Sequence, residues 1–346
     1  MSRSVLLVGN YISAHTNVRS VGEELGIRLR SAGWNVVATS SYRSALVRVA
    51  DMLTTVLRAR NAYELACVEV YSGRAFRWAE AVCAALRAVG RPYLLALHGG
   101  NLPPFARSNP VRVRRLLAGA RLVTAPSAYL VEQMREYAPR LELIPNAIDV
   151  QAYPFQLRRR VRPRLIWLRA FHEIYNPSLA VAVVERLRRS QTGVSLTMVG
   201  PDKGDGALER TRAAIASAGL DEQVRIVGGI PKRDVPARLA EGDIFLNTTD
   251  IDNTPVSVLE ALACGLCVVS TRVGGIPYVL EDGEDALLVP ARDPDAMAAA
   301  CSRLFDEPGL AERLSRNGRR NAESLDWRVV LPRWEDALER AARRAS

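Results

Sequence analysis

Short apolar runs recur along the whole chain, each separated from the next by a stretch with helical spacing, and this alternation limits the fold more than any other feature. In the first half the runs are VLLVGN (5–10), VVATSS (36–41), LACVEVYS (65–72), PYLLALHG (92–99), LVTAPS (122–127) and LELIPN (141–146). Between them lie amphipathic segments such as VGEELGIRLRSAG, which stops at Gly33, a residue type that commonly ends a helix. Strand and helix patterns in strict alternation predict a parallel sheet covered by helices on both faces. The stretch VQAYPFQLRRRVRPR (150–164) interrupts the rhythm: it is polar, basic and carries two prolines. The runs then restart with RLIWLR (164–169), VSLTMVG (194–200), VRIVGG (224–229), IFLNTT (244–249), CVVSTR (267–272) and ALLVP (286–290).

A chain of 346 residues exceeds one ordinary core and suits two domains of about 150 residues each. The expected organisation is therefore an α/β protein with two doubly wound domains: 1–152, a linker over 153–163, and 164–326. A final helix over 327–346 is anchored by Trp327 and Trp334. Open α/β sheets bind ligands beyond the C-terminal ends of their strands, so two such domains facing each other predict a site in the cleft between them. The architecture alone does not name the chemistry.

Composition excludes several classes. No apolar run reaches the roughly 18 residues of a membrane span, and MSRSVLLVGNY reads as a first strand, not a signal peptide. Five scattered cysteines argue against a disulfide framework and suit a reducing cytosol. Cys264 and Cys267 form a C-x-x-C, but no second pair of ligands follows at zinc spacing, so burial is expected for both. The net charge of +10 is nearly all arginine, since Lys203 and Lys232 are the only lysines. That bias partly reflects codon composition. No zinc-finger spacing or RNA-binding signature accompanies it, so nucleic acid is not an expected partner. No metal cluster is apparent either. Asp250 and Asp252 have D-x-D spacing but belong to the motif described next.

The most informative passage is DIDNTPVSVLEALACG (250–265). Asn253-Thr254-Pro255 supplies a turn, and a helix is expected to start near Pro255, a favoured first-turn residue. A helix N-terminus presents free N–H groups and a positive dipole end to phosphate. Asp252 then lies in the loop before the helix and Glu260, eight positions on, about a turn and a half inside it. The spacing alone leaves two readings open: two carboxylates gripping the hydroxyls of a nucleotide sugar, or a capping Asp and a solvated helix Glu.

Asp252 and Glu260 resemble the acidic pair of the retaining glycosyltransferases of family 4, which have the GT-B fold. Ile144-Pro145-Asn146-Ala147-Ile148-Asp149 resembles that family's I-P-N-G-I-D segment. VVSTRVGGIPYVLEDGEDALLVPARDP (268–294) is similar to its V-G-G-x-P-E…D-G…L-V-P signature, and NGRRNAESLDW (317–327) to its closing segment, after which the last helix crosses back to the first domain. The resemblance spans nearly the whole chain. It implies a first domain that binds the acceptor and a second that binds the donor. Glu260 would hold the ribose and Asp252 the transferred sugar, while Asn253, Thr254, Pro255 and Val256 would meet the phosphates or sugar. Arg169, at the end of RLIWLR, matches the arginine that binds the donor diphosphate, and a planar guanidinium suits two phosphate oxygens. His98 matches the histidine that faces the donor sugar, and Gly9-Asn10 the N-terminal glycine loop. Gly200 is a candidate donor contact. Ile230 would lie beside the base, with Lys232 as support or as an ordinary surface lysine. His15 and His172 rank below His98.

Three positions depart from the family pattern. Asp252 stands for Glu, Tyr175-Asn176 occupies the place of a lysine, and Tyr278 that of the Glu in G-G-x-P-E, with Glu281 three residues later as a substitute. The resemblance implies a retaining, metal-independent transferase with no cofactor beyond its nucleotide-sugar co-substrate. The rival readings are a nucleotide-sugar-binding protein with impaired catalysis, and an epimerase or hydrolase of the same fold. The acceptor is unidentified; lipid-linked and polysaccharide acceptors both suit the resemblance, as does a cytoplasmic location. SNPVRVRRLLAGARLV (108–123) places Arg112, Arg114, Arg115 and Arg121 around Val111, Val113, Leu116 and Leu117. Two readings of it stay open: peripheral contact with the inner face of a membrane, or a helix packed on the first sheet with its arginines in water.

Overall fold

The computed structural model describes residues 3–11, 20–138 and 140–343. The chain divides into two compact units, residues 1–147 with 327–346, and residues 148–326.

The first unit runs β1 (Ser4–Val8), α1 (Val21–Ser31), β2 (Asn35–Thr39), α2 (Ala45–Arg58), β3 (Leu65–Val70), α3 (Arg74–Ala88), β4 (Tyr93–Leu97), α4 (Leu102–Ser108), α5 (Pro110–Ala118), β5 (Leu122–Ala125), α6 (Ala128–Met134) and β6 (Leu141–Leu143). Its six strands are all parallel, in the order β2-β1-β3-β4-β5-β6. Strands β1, β3 and β4 are buried along their whole length, as parallel strands covered on both faces must be. Helix α1 starts on a capping box. Ser20 Oγ accepts from the Glu23 N–H at 3.2 Å, and the Glu23 carboxylate accepts from the Ser20 N–H at 2.7 Å. One sheet face is packed by Met52 and Val56 of α2, Phe76, Val82 and Leu86 of α3, and Leu116 and Leu117 of α5. The other carries Leu25 and Leu29 of α1 with Trp34.

The second unit runs β7 (Arg164–Leu168), α7 (Pro177–Leu187), β8 (Ser195–Val199), α8 (Ala207–Ala218), β9 (Val224–Gly228), α9 (Val235–Leu239), β10 (Ile244–Asn247), α10 (Val256–Ala263), β11 (Cys267–Thr271), β12 (Ala286–Val289), α11 (Pro294–Asp306) and α12 (Leu310–Ser324). Its sheet is also six-stranded and parallel, in the order β12-β11-β10-β7-β8-β9. Helices α7 and α11 pack one face, with Val183, Val184, Met297 and Cys301 in the core, and α10 packs the other. The chain reaches this unit and leaves it at neighbouring points. Ile148 bridges Asp326 in parallel, its N–H donates to Leu325 O at 3.1 Å, and the Val150 N–H donates to the buried Asp326 carboxylate at 3.1 Å. Beyond Asp326, α13 (Trp327–Ala342) covers the second face of the first unit's sheet. Trp327, Val330, Trp334, Ala337, Leu338 and Ala341 form its buried stripe at helical spacing. Burying side chains the size of Val330 and Leu338 stabilises by about 1.5–3 kcal/mol each.

Residues 153–163, expected as a linker, lie within the second unit. Their arginines are the reason. Arg158 is only 2% exposed; it pairs with Asp243 and donates to Cys264 O at 2.8 Å and Gly242 O at 3.0 Å. Arg162 and Arg164 pair with the same buried Asp243. In the fold these charges neutralise a buried acid. All five cysteines are free and buried, Cys264 and Cys267 included. Among the described residues, no helix is long and apolar enough to cross a membrane.

Candidate functional site

In the second unit the candidate residues gather beyond the C-terminal ends of the strands. Arg169 follows β7 directly, its N–H donating to Val199 O at 3.0 Å. Gly200 follows β8 at φ 155°, and a Cβ there would collide with the Arg169 carbonyl, so glycine is required for the two strand ends to lie this close. The Arg169 guanidinium is ion-paired with the Asp252 carboxylate, and the Tyr175 ring lies against it, 4.2 Å from its carbon. Arg169 Nε is buried and has no hydrogen-bond partner.

Tyr175 closes a short 3-10 turn, Glu173–Tyr175, that is stitched to the residues directly after β10. Thr248 Oγ1 donates to Tyr175 O at 2.7 Å, Thr249 Oγ1 to Ile174 O at 3.1 Å, and the Asp250 N–H to Ile174 O at 2.8 Å. The residue in the place of the family lysine is therefore held on the Arg169 guanidinium. It contributes a ring instead of a charge.

Asp252 precedes α10, and its own carboxylate accepts from the Asn253 N–H at 2.8 Å. Gly274 and Gly275 press against this loop. A Cβ at Gly274 would collide with the Asp252 carbonyl, and one at Gly275 with that of Asn253. The V-G-G signature thus has a local cause: two residues without side chains let one loop pack on the backbone of another. Asn253 and Thr254 are buried, and Ser257 Oγ in the first turn of α10 is buried with no partner. Glu260 sits inside α10 and is 3% exposed. It accepts from the Tyr153 phenol at 2.9 Å and is ion-paired with Lys232 Nζ. Lys232 opens the 3-10 turn Lys232–Asp234 directly after Gly229-Ile230-Pro231, and Ile230 packs against the core beneath. The helix Glu, open to solvent in one reading of the sequence, is instead buried, and Lys232, at the surface, is its cation.

His172 accepts through Nδ1 from the Ile174 N–H at 3.2 Å and lies 3.6 Å from Asp205. Tyr278 is half-exposed and lines, with Glu281, a depression of about 560 Å³.

In the first unit, His98 follows β4, with its N–H donating to Val70 O at 2.9 Å. Its ring stacks on Tyr71 at 5.2 Å with 21° between the planes. Burial pulls its pKa down to about 4, so the imidazole is neutral at pH 7. Gly9 and Asn10 follow β1. The Gly9 N–H donates to Thr39 O at 2.8 Å, and Gly9 lies on the carboxylate of Glu69, where a Cβ would collide. His15 and the other residues of 12–19 lie outside the described residues.

Helix α5, the core of the basic stretch 108–123, buries Val113, Leu116 and Leu117 and leaves Val111 77% exposed. Arg112 is ion-paired with Glu80 and stands over the rings of Phe76 and Phe105, and Arg114 faces Glu136 and Tyr137. Two of its arginines are engaged within the unit.

Sequence reasoning missed Tyr153, Tyr71 and Glu69, and treated Lys232 only as an auxiliary residue. Glu69 carried a signal: a carboxylate in the middle of LACVEV, a strand buried on both faces.

Residues 162–307 match the model of the family described as glycosyl transferases group 1. The chain is 30% identical over 232 residues to an MMP alpha-(1->4)-mannosyltransferase of Mycolicibacterium hassiacum, covering 65% of this chain and 55% of that protein. It is 28% identical over 288 residues to a GDP-mannose-dependent alpha-(1-6)-phosphatidylinositol monomannoside mannosyltransferase of Mycolicibacterium smegmatis, covering 75% of this chain and 74% of the relative. The chain thus spans just over half of the first relative's length and about three quarters of the second's. Among solved structures, a sucrose-phosphate synthase from Thermosynechococcus elongatus superposes with a TM-score of 0.82 at 18% identity, over 97% of this chain and 98% of that one.

Proposed function

The chain belongs to the family 4 type of GT-B glycosyltransferases, and from that premise we propose that it transfers a hexose from a nucleotide-diphosphate sugar to a lipid- or inositol-linked acceptor. In this reading transfer retains the anomeric configuration and needs no metal. The supporting observation is the pair of acid–cation contacts flanking the start of α10, Arg169 with Asp252 and Lys232 with Glu260. Two cations already standing on two carboxylates suit a ligand that carries both phosphates and hydroxyls. Its diphosphate takes over Arg169, and its hydroxyls take over Asp252 and Glu260. Asp252 then holds the transferred sugar and Glu260 the ribose. The N–H groups at the start of α10 add the positive end of the helix dipole. Mannosyl transfer to a phosphatidylinositol mannoside by the smegmatis relative supports the lipid- or inositol-linked class of acceptor.

The chemistry asked of the chain is modest. The bond from the anomeric carbon to the leaving phosphate oxygen breaks, and the acceptor oxygen bonds to the same carbon from the same face. The acceptor's proton passes to the departing phosphate, so no protein nucleophile is needed. Arg169 stabilises the charge that develops on that phosphate. His98, in the first unit, is neutral and so is a hydrogen-bonding group that brings no charge.

The test has two parts. A thermal-shift screen of UDP-, GDP- and ADP-sugars identifies the donor, since a ligand at 100 times its Kd adds about 2.7 kcal/mol of stability. The chosen donor is then incubated with phosphatidylinositol mannoside in EDTA, and the anomer of the product is read by NMR. Donor binding without transfer to any lipid or polyol acceptor, or strict dependence on added manganese, overturns the reading.

A further inference from the structure

Glu69 is a buried acid for which the proposed chemistry has no use. It lies on β3 beneath the turn after β1, in a cradle formed by two glycines: a Cβ at Gly9 or at Gly22 would collide with its carboxylate. One oxygen, Oε2, accepts from the Tyr71 phenol at 3.2 Å, and the Asn10 N–H also donates to the carboxylate. The other, Oε1, is buried with no partner, as is Oδ1 of the adjoining Asn10. The Tyr71 ring that reaches down to Glu69 is the same ring that stacks on His98. A continuous path therefore runs from the acid, through the phenol, to the face of the imidazole.

We propose that Glu69 is a positioning residue for His98, acting through Tyr71, and that its protonation sets how firmly the Tyr71 ring and the Gly9-Asn10 turn are held. An ionised carboxylate accepts a stronger hydrogen bond from a phenol than a protonated one does, so loss of the proton pulls Tyr71 toward β3 and changes its stacking on His98. Burial raises the Glu69 pKa to about 7, against lowering by the Tyr71 and Asn10 hydrogen bonds. The groups acting on it come from each neighbouring element: Asn10 and Tyr11 from the turn after β1, Glu23 from α1, and Cys67 and Tyr71 from β3 or its end. The carboxylate thus changes charge near neutral pH, while His98 itself stays neutral down to about pH 4.

The inference rests on the glycosyltransferase reading only for what His98 does, so the test needs no turnover. Histidine Cε1–H signals of the full chain are followed from pH 5.5 to 8.5, with only three histidines to assign. The His98 signal is expected to move in a step centred near pH 7, although its own ring does not titrate there. Glu69→Gln abolishes the step. Tyr71→Phe, which keeps the stacked ring and removes the O–H, cuts it to well under half. A flat His98 signal in the unaltered protein, or a step that survives Glu69→Gln, overturns the proposal. If the step behaves as expected and no donor is ever turned over, the link stands and the transferase reading falls.

Discussion

The two units have the same architecture and opposite electrostatics at their functional ends. In the second, each acid carries a cation, Asp252 with Arg169 and Glu260 with Lys232. In the first, desolvation shifts both groups toward the neutral form, raising the pKa of the buried Glu69 to about 7 and lowering that of the half-buried His98 to about 4. An ion-paired end exchanges its partners readily with a charged ligand. An end neutralised by burial responds to protons and to ligands that bring hydroxyls. The contrast suits the division of labour that the family resemblance implies, a charged donor in one unit and an uncharged hydroxyl acceptor in the other.

The largest expected effect that could break this contrast is on stability. The folded state holds the Glu69 proton up to about pH 7, whereas the unfolded chain releases it near its ordinary value of 4.5. Between those values the unfolded state binds fewer protons, so stability falls as pH rises from about 4.5 to 7 and then levels off. The size is roughly 3 kcal/mol. Urea titrations at pH 5 and pH 8 should show the drop, and Glu69→Gln should remove it; an equal drop in the variant assigns the effect elsewhere. On the second unit, Arg169→Ala should cost at least about 2 kcal/mol in kcat/KM for donor turnover, roughly 30-fold. A loss confined to KM would mean that Arg169 binds ground state and transition state alike.

Smaller effects sharpen the picture. Tyr175→Leu removes a ring from a partly buried guanidinium, worth about 1 kcal/mol, and should raise the donor KM about fivefold, while Tyr175→Phe should be silent. If both variants behave as wild type, the ring does not position Arg169. The smallest effect is expected at α5. With Arg112 and Arg114 engaged inside the unit, Arg115→Ser should weaken co-sedimentation with anionic vesicles at low salt by only about 1 kcal/mol. No sedimentation of the unaltered protein removes the membrane from the account.

The sheets were legible because parallel strands buried on both faces leave continuous apolar runs, and each run found from 5–10 to 286–290 covers one of the observed strands, with β1 and β2 starting one residue earlier. The acidic motif was legible because its residues fall within one loop and one helix. Its cations were harder to place. Lys232 lies 28 positions from Glu260, and Tyr153 reaches the same carboxylate from 107 positions away. Neither spacing has a periodicity, since the fold alone brings them together. The basic run 153–163 misled for the same reason: exposure cannot be read from charge when the neutralising acid, Asp243, lies some 80 residues further on. Glu69 could have been found by asking why a carboxylate interrupts a strand that has no solvent face.

The bridge between Ile148 and Asp326 makes the second unit an insertion within the first. During synthesis, residues 148–326 hold everything their own core requires by the time Asp326 is added. The first unit still lacks α13, and the face of its sheet that α1 covers in part is completed only when Trp334 and Leu338 arrive. Domains generally fold as they emerge, the N-terminal one first. In this chain the later-made unit has its full sequence first, and a chain released near residue 326 carries a complete second unit tethered to a first one whose sheet is bare where α13 belongs.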